Sequence, residues 1–377
     1  ISHAKKHGKK WMKAQRVSIS ALYMPAHNEI QPQPLGVVGI IVPWNYPLYL
    51  AIGPMIDALT AGNRVMIKMS EAAPQFAQAF ANAIARYFSP DMVCVVLGEV
   101  DIAAAFSELP FDHLLYTGST AVGKKIMAAA APNLTPVTLE LGGKSPVIVL
   151  DDANLETVVN RVMMGKTLNA GQTCIAPDYV LVQRQHHEQF VSLAKEWMKK
   201  HYPNIENNPD YSRIINGEQF KRVQGYLDAL SADEIHALTD AEANIETRLL
   251  PPVIVSDPAA DSDVMQEEIF APILPLIHYE TLDDAIHFVN SRPRPLALYV
   301  FGDSQNGLEK VRNNTVSGGL CVNEVIVHVA QHDLPFGGVG DSGTGSYHGK
   351  AGFERLSHMK PIFVQNKLNG MNLLLPP

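Results

Sequence analysis

Short, strongly apolar runs recur at 37–42, 64–68, 93–97, 113–116, 137–139 and 147–150, most of them separated by enough chain for one helix. A strand that is apolar along its length has to be covered on both faces, and a connection of helical length returns the next strand parallel to the last. This is the βαβ rhythm of a parallel sheet. The intervening segments agree, since 73–87 and 120–130 keep small and apolar residues at three-to-four spacing. The rhythm resumes after Leu150, with helices expected over 155–168 and 186–201 and strands over 179–182 and 273–277. Two α/β domains follow. The stretch 204–252 is polar and irregular and reads as surface excursions, with no internal repeat or low-complexity linker.

A chain of 377 residues with 46% hydrophobic and 18% charged content can bury sizeable cores. Its apolar runs are too short to cross a bilayer, and no segment joins a basic start to a long apolar stretch and a small-residue cleavage site, so no integral membrane association is expected. The net charge of −8 argues against bulk attraction to nucleic acid. One basic cluster, Lys5, Lys6, Lys9, Lys10, Lys13 and Arg16, lacks aromatic interleaving and reads as a solvated helix face. Three widely separated cysteines make no disulfide framework, which points to a reducing, cytoplasmic compartment. The first residue is Ile1, with no initiator methionine, so a fragment or processed chain is expected.

Among the cysteines, Cys174 is the leading nucleophile candidate. Gly171 three residues before it and Pro177 three after break regular structure on both sides, so the sulfur sits on a shaped loop. Free cysteines are more often small buried hydrophobes, and Cys94 and Cys321, each inside an apolar run, are read that way. Glu140 ends an apolar run and is followed by Gly142 and Gly143, which let other backbone approach closely. A carboxylate desolvated there has its pKa raised toward the operating pH, which suits it to activating water. Asn45, in Pro43-Trp44-Asn45-Tyr46-Pro47, follows a strand on a proline-stiffened loop, and its amide can donate to a developing oxyanion. Taken singly, Asn45 is more often a turn residue and Glu140 a salt-bridge partner.

The run from Gly118 to Lys125 nearly spells a phosphate-binding P-loop, but Lys125 stands where a magnesium-holding hydroxyl is needed. The three-glycine dinucleotide fingerprint is also absent. What remains is a strand, a Gly118-Ser119 turn and a helix N-terminus, which still offer backbone N–H groups to a phosphate.

Together these pieces resemble the aldehyde dehydrogenase superfamily over nearly the whole chain. Pro43-Trp44-Asn45, Lys68-Met69-Ser70-Glu71, Thr117-Gly118-Ser119-Thr120, Leu139-Glu140-Leu141-Gly142-Gly143-Lys144, Gly171-Gln172-Thr173-Cys174, Glu267-Glu268-Ile269-Phe270 and Pro335-Phe336-Gly337-Gly338 occur in the family's order. Ala176-Pro177-Asp178-Tyr179 and Ser346-Tyr347-His348-Gly349 resemble its class 3 branch, and 33–39, 66–71 and 328–331 are most similar to the bacterial coniferyl aldehyde dehydrogenases within it. The resemblance implies two Rossmann-like α/β domains with parallel sheets plus a small β oligomerisation element. The expected division is an N-terminal remnant with oligomerisation strands over 1–31, a cofactor domain over 32–141, a catalytic domain over 142–338, and a return segment over 339–377. Family members carry a helical segment ahead of the position of Ile1, so this chain is expected to lack it.

The implied chemistry is NAD(P)-dependent oxidation of an aldehyde to a carboxylic acid. Cys174 is the expected nucleophile, Asn45 with the Cys174 backbone N–H the oxyanion donors, and Glu140 the base that activates water for thioester hydrolysis. By motif matching, Lys68 and Glu71 reach the adenine ribose, Ser119 the pyrophosphate, and Glu268 with Phe270 the nicotinamide ribose. Pro43, Trp44, Gly118, Thr120, Gly123, Leu141 and Gly142 complete the expected cofactor contacts. The Glu71 carboxylate should repel a 2′-phosphate, which favours NAD while leaving NADP as an option. Phe336 matches a position lining the family's substrate tunnel, and Tyr46 and Tyr49 lie beside the oxyanion loop, which suits an aromatic aldehyde such as coniferyl aldehyde. Two positions depart from the family pattern, Met69 for proline and Ala271 for glycine. A homodimer is expected, paired through strands at 16–23 and 360–365.

Other readings compete. A medium-chain or fatty aliphatic aldehyde is the nearest alternative substrate. A cysteine-dependent esterase or hydrolase would need an imidazole base, and none of the 14 histidines falls in a recognisable hydrolase context. His328 and His332 are four apart but lack an acidic partner, so no metal site is expected. A CoA-acylating relative would not need Glu140.

Overall fold

The computed structural model describes residues 1–367; the remainder of the expected return segment, 368–377, lies outside them. The chain opens with helix α1 (Ser2–Trp11) and strands β1 (Gln15–Val17) and β2 (His27–Pro34). A first alternation follows: β3 (Val37–Ile41), α2 (Pro47–Thr60), β4 (Arg64–Lys68), α3 (Pro74–Tyr87), β5 (Val93–Val96), α4 (Val100–Ser107), β6 (His113–Thr117), α5 (Thr120–Ala130) and β7 (Val137–Glu140). The second runs β8 (Pro146–Val149), α6 (Leu155–Thr167), β9 (Tyr179–Gln183), α7 (His187–His201), α8 (Gly217–Asp228), β10 (Ile235–Ala237), β11 (Val253–Ser256), α9 (Asp263–Gln266), β12 (Ile273–Tyr279), α10 (Leu282–Asn290), β13 (Ala297–Phe301), α11 (Gln305–Asn314) and β14 (Gly319–Val322). The chain then returns through β15 (Gly343–Thr344), α12 (Gly349–Arg355) and β16 (Ser357–Val364).

Three sheets result. The six-stranded sheet has the order β15-β7-β6-β3-β4-β5 and the seven-stranded sheet β10-β11-β12-β9-β8-β13-β14, while β1, β2 and β16 form a third. Both large sheets are parallel except at one edge, where β15 runs antiparallel to β7 and β10 to β11. Strands β6, β8 and β13 are buried at every position; β8 and β13 are apolar or proline throughout apart from the Tyr299 hydroxyl, and in β6 the buried His113 ring is matched by Thr138 Oγ1 at 2.9 Å. Side-chain caps set several helix starts: Ser119 accepts from Val122 N at α5, Asn154 from Thr157 N at α6 and Asn216 from Gln219 N at α8.

The order of the first sheet reverses direction on either side of β3, with β4 and β5 to one side and β6 and β7 to the other. In such sheets the crevice for a ligand opens at the carboxyl ends of the strands around that reversal. The loops carrying Asn45, Lys68, Ser119 and Gly142 all leave those ends. From the second sheet it is the amino ends of neighbouring strands β8, β9 and β12 that matter, because Lys144, Asp178 and Glu268 lie just ahead of them. The site is a seam between carboxyl ends of one sheet and amino ends of the other.

Several expectations need correction. The segment 16–23 is not a strand: β1 stops at Val17 and a 3-10 turn occupies Ala21–Tyr23, while His27–Pro34 pairs along its whole length with β16. Pro32 and Pro34 disguise β2 in the sequence, but they lie beyond its last pair with β1, Gln15 to Ile30, so no partner on that side requires their missing N–H. The stretch 204–252 is not all surface excursion. It contains α8 and β10, and Tyr211, Ile214, Phe220, Val223, Leu249 and Leu250 are buried in the main core. Cys94 is only half-buried, because β5 is the edge strand of its sheet. Cys321 is buried, with its sulfur 3.6 Å from His328 Nδ1.

Candidate active site

The cysteine loop is shaped by its backbone. Asn169, Ala170 and Gly171 all have positive φ, at 52°, 51° and 73°, which turns the chain sharply out of α6 before Cys174. The Gln172 side chain pins that turn, donating to Asn169 O and Arg213 O at 2.9 and 3.1 Å and accepting from Ile215 N at 2.9 Å. The loop is braced to the first sheet as well. Asn45 Nδ2 donates to Gln172 O at 3.1 Å, and Tyr46 Oη lies 2.8 Å from Thr173 Oγ1. Asn45 thus spends one N–H on the loop that carries the sulfur, which fixes where its amide points.

Cys174, Asn45 and Glu140 line one cavity of about 540 Å³. Burial, together with the Glu268 and Glu140 carboxylates, pushes the Cys174 thiol up to about 12. Glu140, the last residue of β7, is 2% exposed, and neither carboxylate oxygen has a hydrogen-bond partner. Burial alone holds its pKa well above the ordinary carboxylate value. The structure therefore brings together a protonated thiol, a desolvated carboxyl group and an oriented amide.

The same cavity runs past Pro43, Trp44, Lys68, Glu71, Gly118, Ser119, Leu141, Gly142, Glu268 and Phe270. Lys68 is almost completely buried and donates to Met69 O and Gly98 O at 2.7 and 2.8 Å, with Glu71 Oε2 3.8 Å away. Glu268 has one oxygen without a partner, and burial with nearby Asp178 raises its pKa to about 8. Its carboxylate rests on the Cα of Gly142, where a Cβ would stand only 1.8 Å from Oε2. Phe270, at φ 52°, meets Trp44 edge-on at 5.6 Å. A cavity of this size, lined by a sulfur, an orphaned carboxylate and the start of a capped helix, suits a dinucleotide.

Three expected site residues lie elsewhere. Thr120 begins α5 and donates to Asp341 O at 3.1 Å, and Gly123 lies a turn further on against Leu141, so neither forms the cavity wall. Phe336 is buried among aromatic rings, stacked on His348 at 5.3 Å. Tyr46 and Tyr49 line a second cavity of about 780 Å³, together with Leu48, Ile52, Phe76 and His348. Asn45 lines both cavities, so the two adjoin at the Pro43–Pro47 loop. Sequence reasoning missed Gln219 and Arg222, which also line the first cavity, because α8 was hidden in a segment that looked irregular.

Comparison with known proteins gives the family. The model of the aldehyde dehydrogenase family matches residues 2–362. The chain belongs to the aldehyde dehydrogenase family. It is 52% identical to a probable coniferyl aldehyde dehydrogenase of Pseudomonas aeruginosa, covering 100% of this chain and 79% of that protein. It is 45% identical to aldehyde dehydrogenase family 3 member A2 of Pongo abelii, over 97% of this chain and 75% of the relative. Among solved structures, the substrate-bound state of a Staphylococcus aureus aldehyde dehydrogenase, AldH, superposes with a TM-score of 0.95 at 38% identity, covering 100% of this chain and 82% of that one. The protein is thus an aldehyde dehydrogenase with class 3 relatives, and the family's cofactor is NAD(P). Among the described residues no helix is long and apolar enough to cross a membrane.

Proposed function

We propose that this aldehyde dehydrogenase oxidises an aromatic aldehyde of the coniferyl type to its carboxylic acid, through a thiohemiacetal and then a thioester on Cys174, with NAD preferred. The observation that supports the chemistry is one cavity lined by Cys174, Glu140 and Asn45 together with Lys68, Ser119, Gly142, Glu268 and Phe270.

Attack on the carbonyl carbon forms the C–S bond as the thiol gives up its proton. Because the surroundings hold that thiol at about 12, loss of its proton to solvent has to be coupled to attack, and the desolvated Glu140, a base stronger than a solvated carboxylate, is kept for the hydrolytic step. The oxyanion accepts from the remaining Asn45 N–H and the Cys174 backbone N–H, two donors held by the braced loop. NAD, when bound there, would supply the acceptor for the hydride and two electrons that the thiohemiacetal carbon loses in becoming a thioester. Glu140 then takes a proton from water as its oxygen adds to the thioester carbon, and the acid leaves as the thiol is restored. Glu268 offers its orphaned oxygen to ribose hydroxyls, and Gly142 leaves room for that carboxylate.

The coniferyl assignment draws support from the names of the relatives and from the aromatic lining of the second cavity, Tyr46, Tyr49 and Phe76. Assembly as a homodimer is part of the same reading, with β16 at an open edge of the small sheet and Phe363 exposed on it. The test is NADH formation with coniferyl aldehyde, benzaldehyde and hexanal, using Cys174→Ser as the control. Coniferyl aldehyde should give the highest kcat/KM and the variant no turnover. Hexanal as the best substrate would refute the substrate class, and turnover in Cys174→Ser would refute the mechanism.

A further inference from the structure

Three residues of the segment Glu267–Phe270, namely Glu267, Glu268 and Phe270, line the cavity, yet its main chain is held by residues outside the cavity wall. Lys144 Nζ donates to Val264 O at 2.8 Å and to Glu267 O at 3.0 Å, and it is ion-paired with Asp178 Oδ1. The other oxygen of Asp178 accepts from Ile269 N at 3.1 Å. The Lys144 and Asp178 side chains are 10% and 5% exposed. Buried charge-assisted bonds of this kind resist displacement, because breaking one leaves an uncompensated charge. The strand order makes the cluster possible: Lys144, Asp178 and Ile269 stand ahead of β8, β9 and β12, which are neighbours in the sheet.

We infer that Lys144 and Asp178 form a positioning clamp that sets the main-chain placement of the Glu267–Phe270 loop, and so the grip on the cofactor. The inference rests on the reading of the larger site cavity as the cofactor site. Asp178 is four residues after Cys174, so a single carboxylate ties the nucleophile's loop to the loop that faces it across the cavity. Lys144 and Asp178 are absent from the residues lining the cavity, so they act through the loop and not on cofactor or substrate.

Lys144→Met is the informative variant. It removes the ammonium while Asp178 keeps the Ile269 N–H and the charge of buried Lys166, whereas loss of Asp178 would leave two lysines facing each other. The affinity for NADH, read by titration calorimetry on the full chain, should weaken about tenfold, and KM for NAD should rise more than kcat falls. Lys144→Arg keeps the charge but cannot place one nitrogen on all three oxygens, so it should fall between parent and Met. The rate at which iodoacetamide alkylates Cys174, followed by peptide mass spectrometry without cofactor, should stay within about twofold of parent in both variants. Parental NADH affinity in whichever variant is folded would overturn the inference. So would a parallel loss of NADH affinity and a change in Cys174 alkylation, which would indicate general disorder of the site. A failure of the underlying reading looks different, since the parent chain itself would then not bind NADH.

Discussion

Replacing Gly142 by alanine tests whether the placement of one carboxylate governs cofactor use. The backbone of Gly142 is outside the left-handed region, so alanine fits its conformation. The nearest atoms that the new methyl would meet all belong to Glu268, with Oε2 at 1.8 Å, Cδ at 2.4 Å and Oε1 at 2.6 Å. The carboxylate must retreat by about 1.6 Å to reach the 3.4 Å at which contact becomes ordinary. That movement draws the carboxylate away from the Gly143 N–H that helps hold its pKa down, a loss of at most about 1.5–3 kcal/mol, offset by about 0.4–1 kcal/mol from the stiffer unfolded chain. The fold should therefore survive with Tm lowered by a few degrees. A misplacement of about 1 Å at a positioning group costs about a hundredfold in rate, so kcat/KM for NAD should fall by about two orders of magnitude. Steady-state NADH formation with NAD varied, together with thermal unfolding, reads both effects. Gly142→Ala placed on top of Glu268→Ala should add almost nothing, because the group it displaces is already gone. A folded Gly142→Ala enzyme with parental kcat/KM for NAD would refute the assignment of Glu268 as a cofactor ligand.

The other predictions concern single side chains. Glu140→Gln removes the only proton acceptor proposed for hydrolysis, so rapid mixing with excess NAD should show a burst of NADH followed by slow turnover; unimpaired steady-state turnover would exclude Glu140 as the required base. Glu71→Gln should improve kcat/KM for NADP relative to NAD, since a 2′-phosphate carries about −1.5 to −2 charge at neutral pH and Glu71 lies 3.8 Å from Lys68 at the cavity wall. An unchanged cofactor ratio would mean that Glu71 does not face the ribose.

Where side chains themselves carry the pattern, the sequence was legible almost to the residue, as at Arg64–Lys68 and Thr120–Ala130. Hydrophobic periodicity sees burial, and these elements are defined by it. It does not see strands paired along a polar ribbon, which is why β2 was passed over in favour of 16–23. Nor does it see a core supplied by a few residues per turn between polar ones, as in α8, where Phe220, Val223 and Tyr226 are the buried positions. The site divides along similar lines. Cys174, Glu140 and Asn45 announce themselves by chemistry and context, but the contacts that hold them do not. Lys144 and Asp178 both sit inside recognised motifs, yet their roles depend on Val264 O, Glu267 O and Ile269 N, and backbone atoms have no signature in a sequence. Phe336 was marked only by its motif; its packing against His348 and Tyr347, which buries the ring, is a contact that no motif spells out.

The seam between the two large sheets is crossed directly by the short link from β7 to β8, which starts at Glu140, the end of β7, and contains Leu141, Gly142 and Lys144. Five consecutive residues span at most about 17 Å when fully stretched. The distance from the buried base to the floor beneath Glu268, and onward to the ammonium behind it, is therefore bounded by bond lengths as well as by packing. Should the two halves of the molecule part to admit or release a dinucleotide, this link acts as the spine of the opening: the cavity widens at its rim while the spacing along the spine is conserved. An inserted residue between Glu140 and Lys144 would lengthen the spine itself, an error that no rearrangement of neighbouring side chains can absorb.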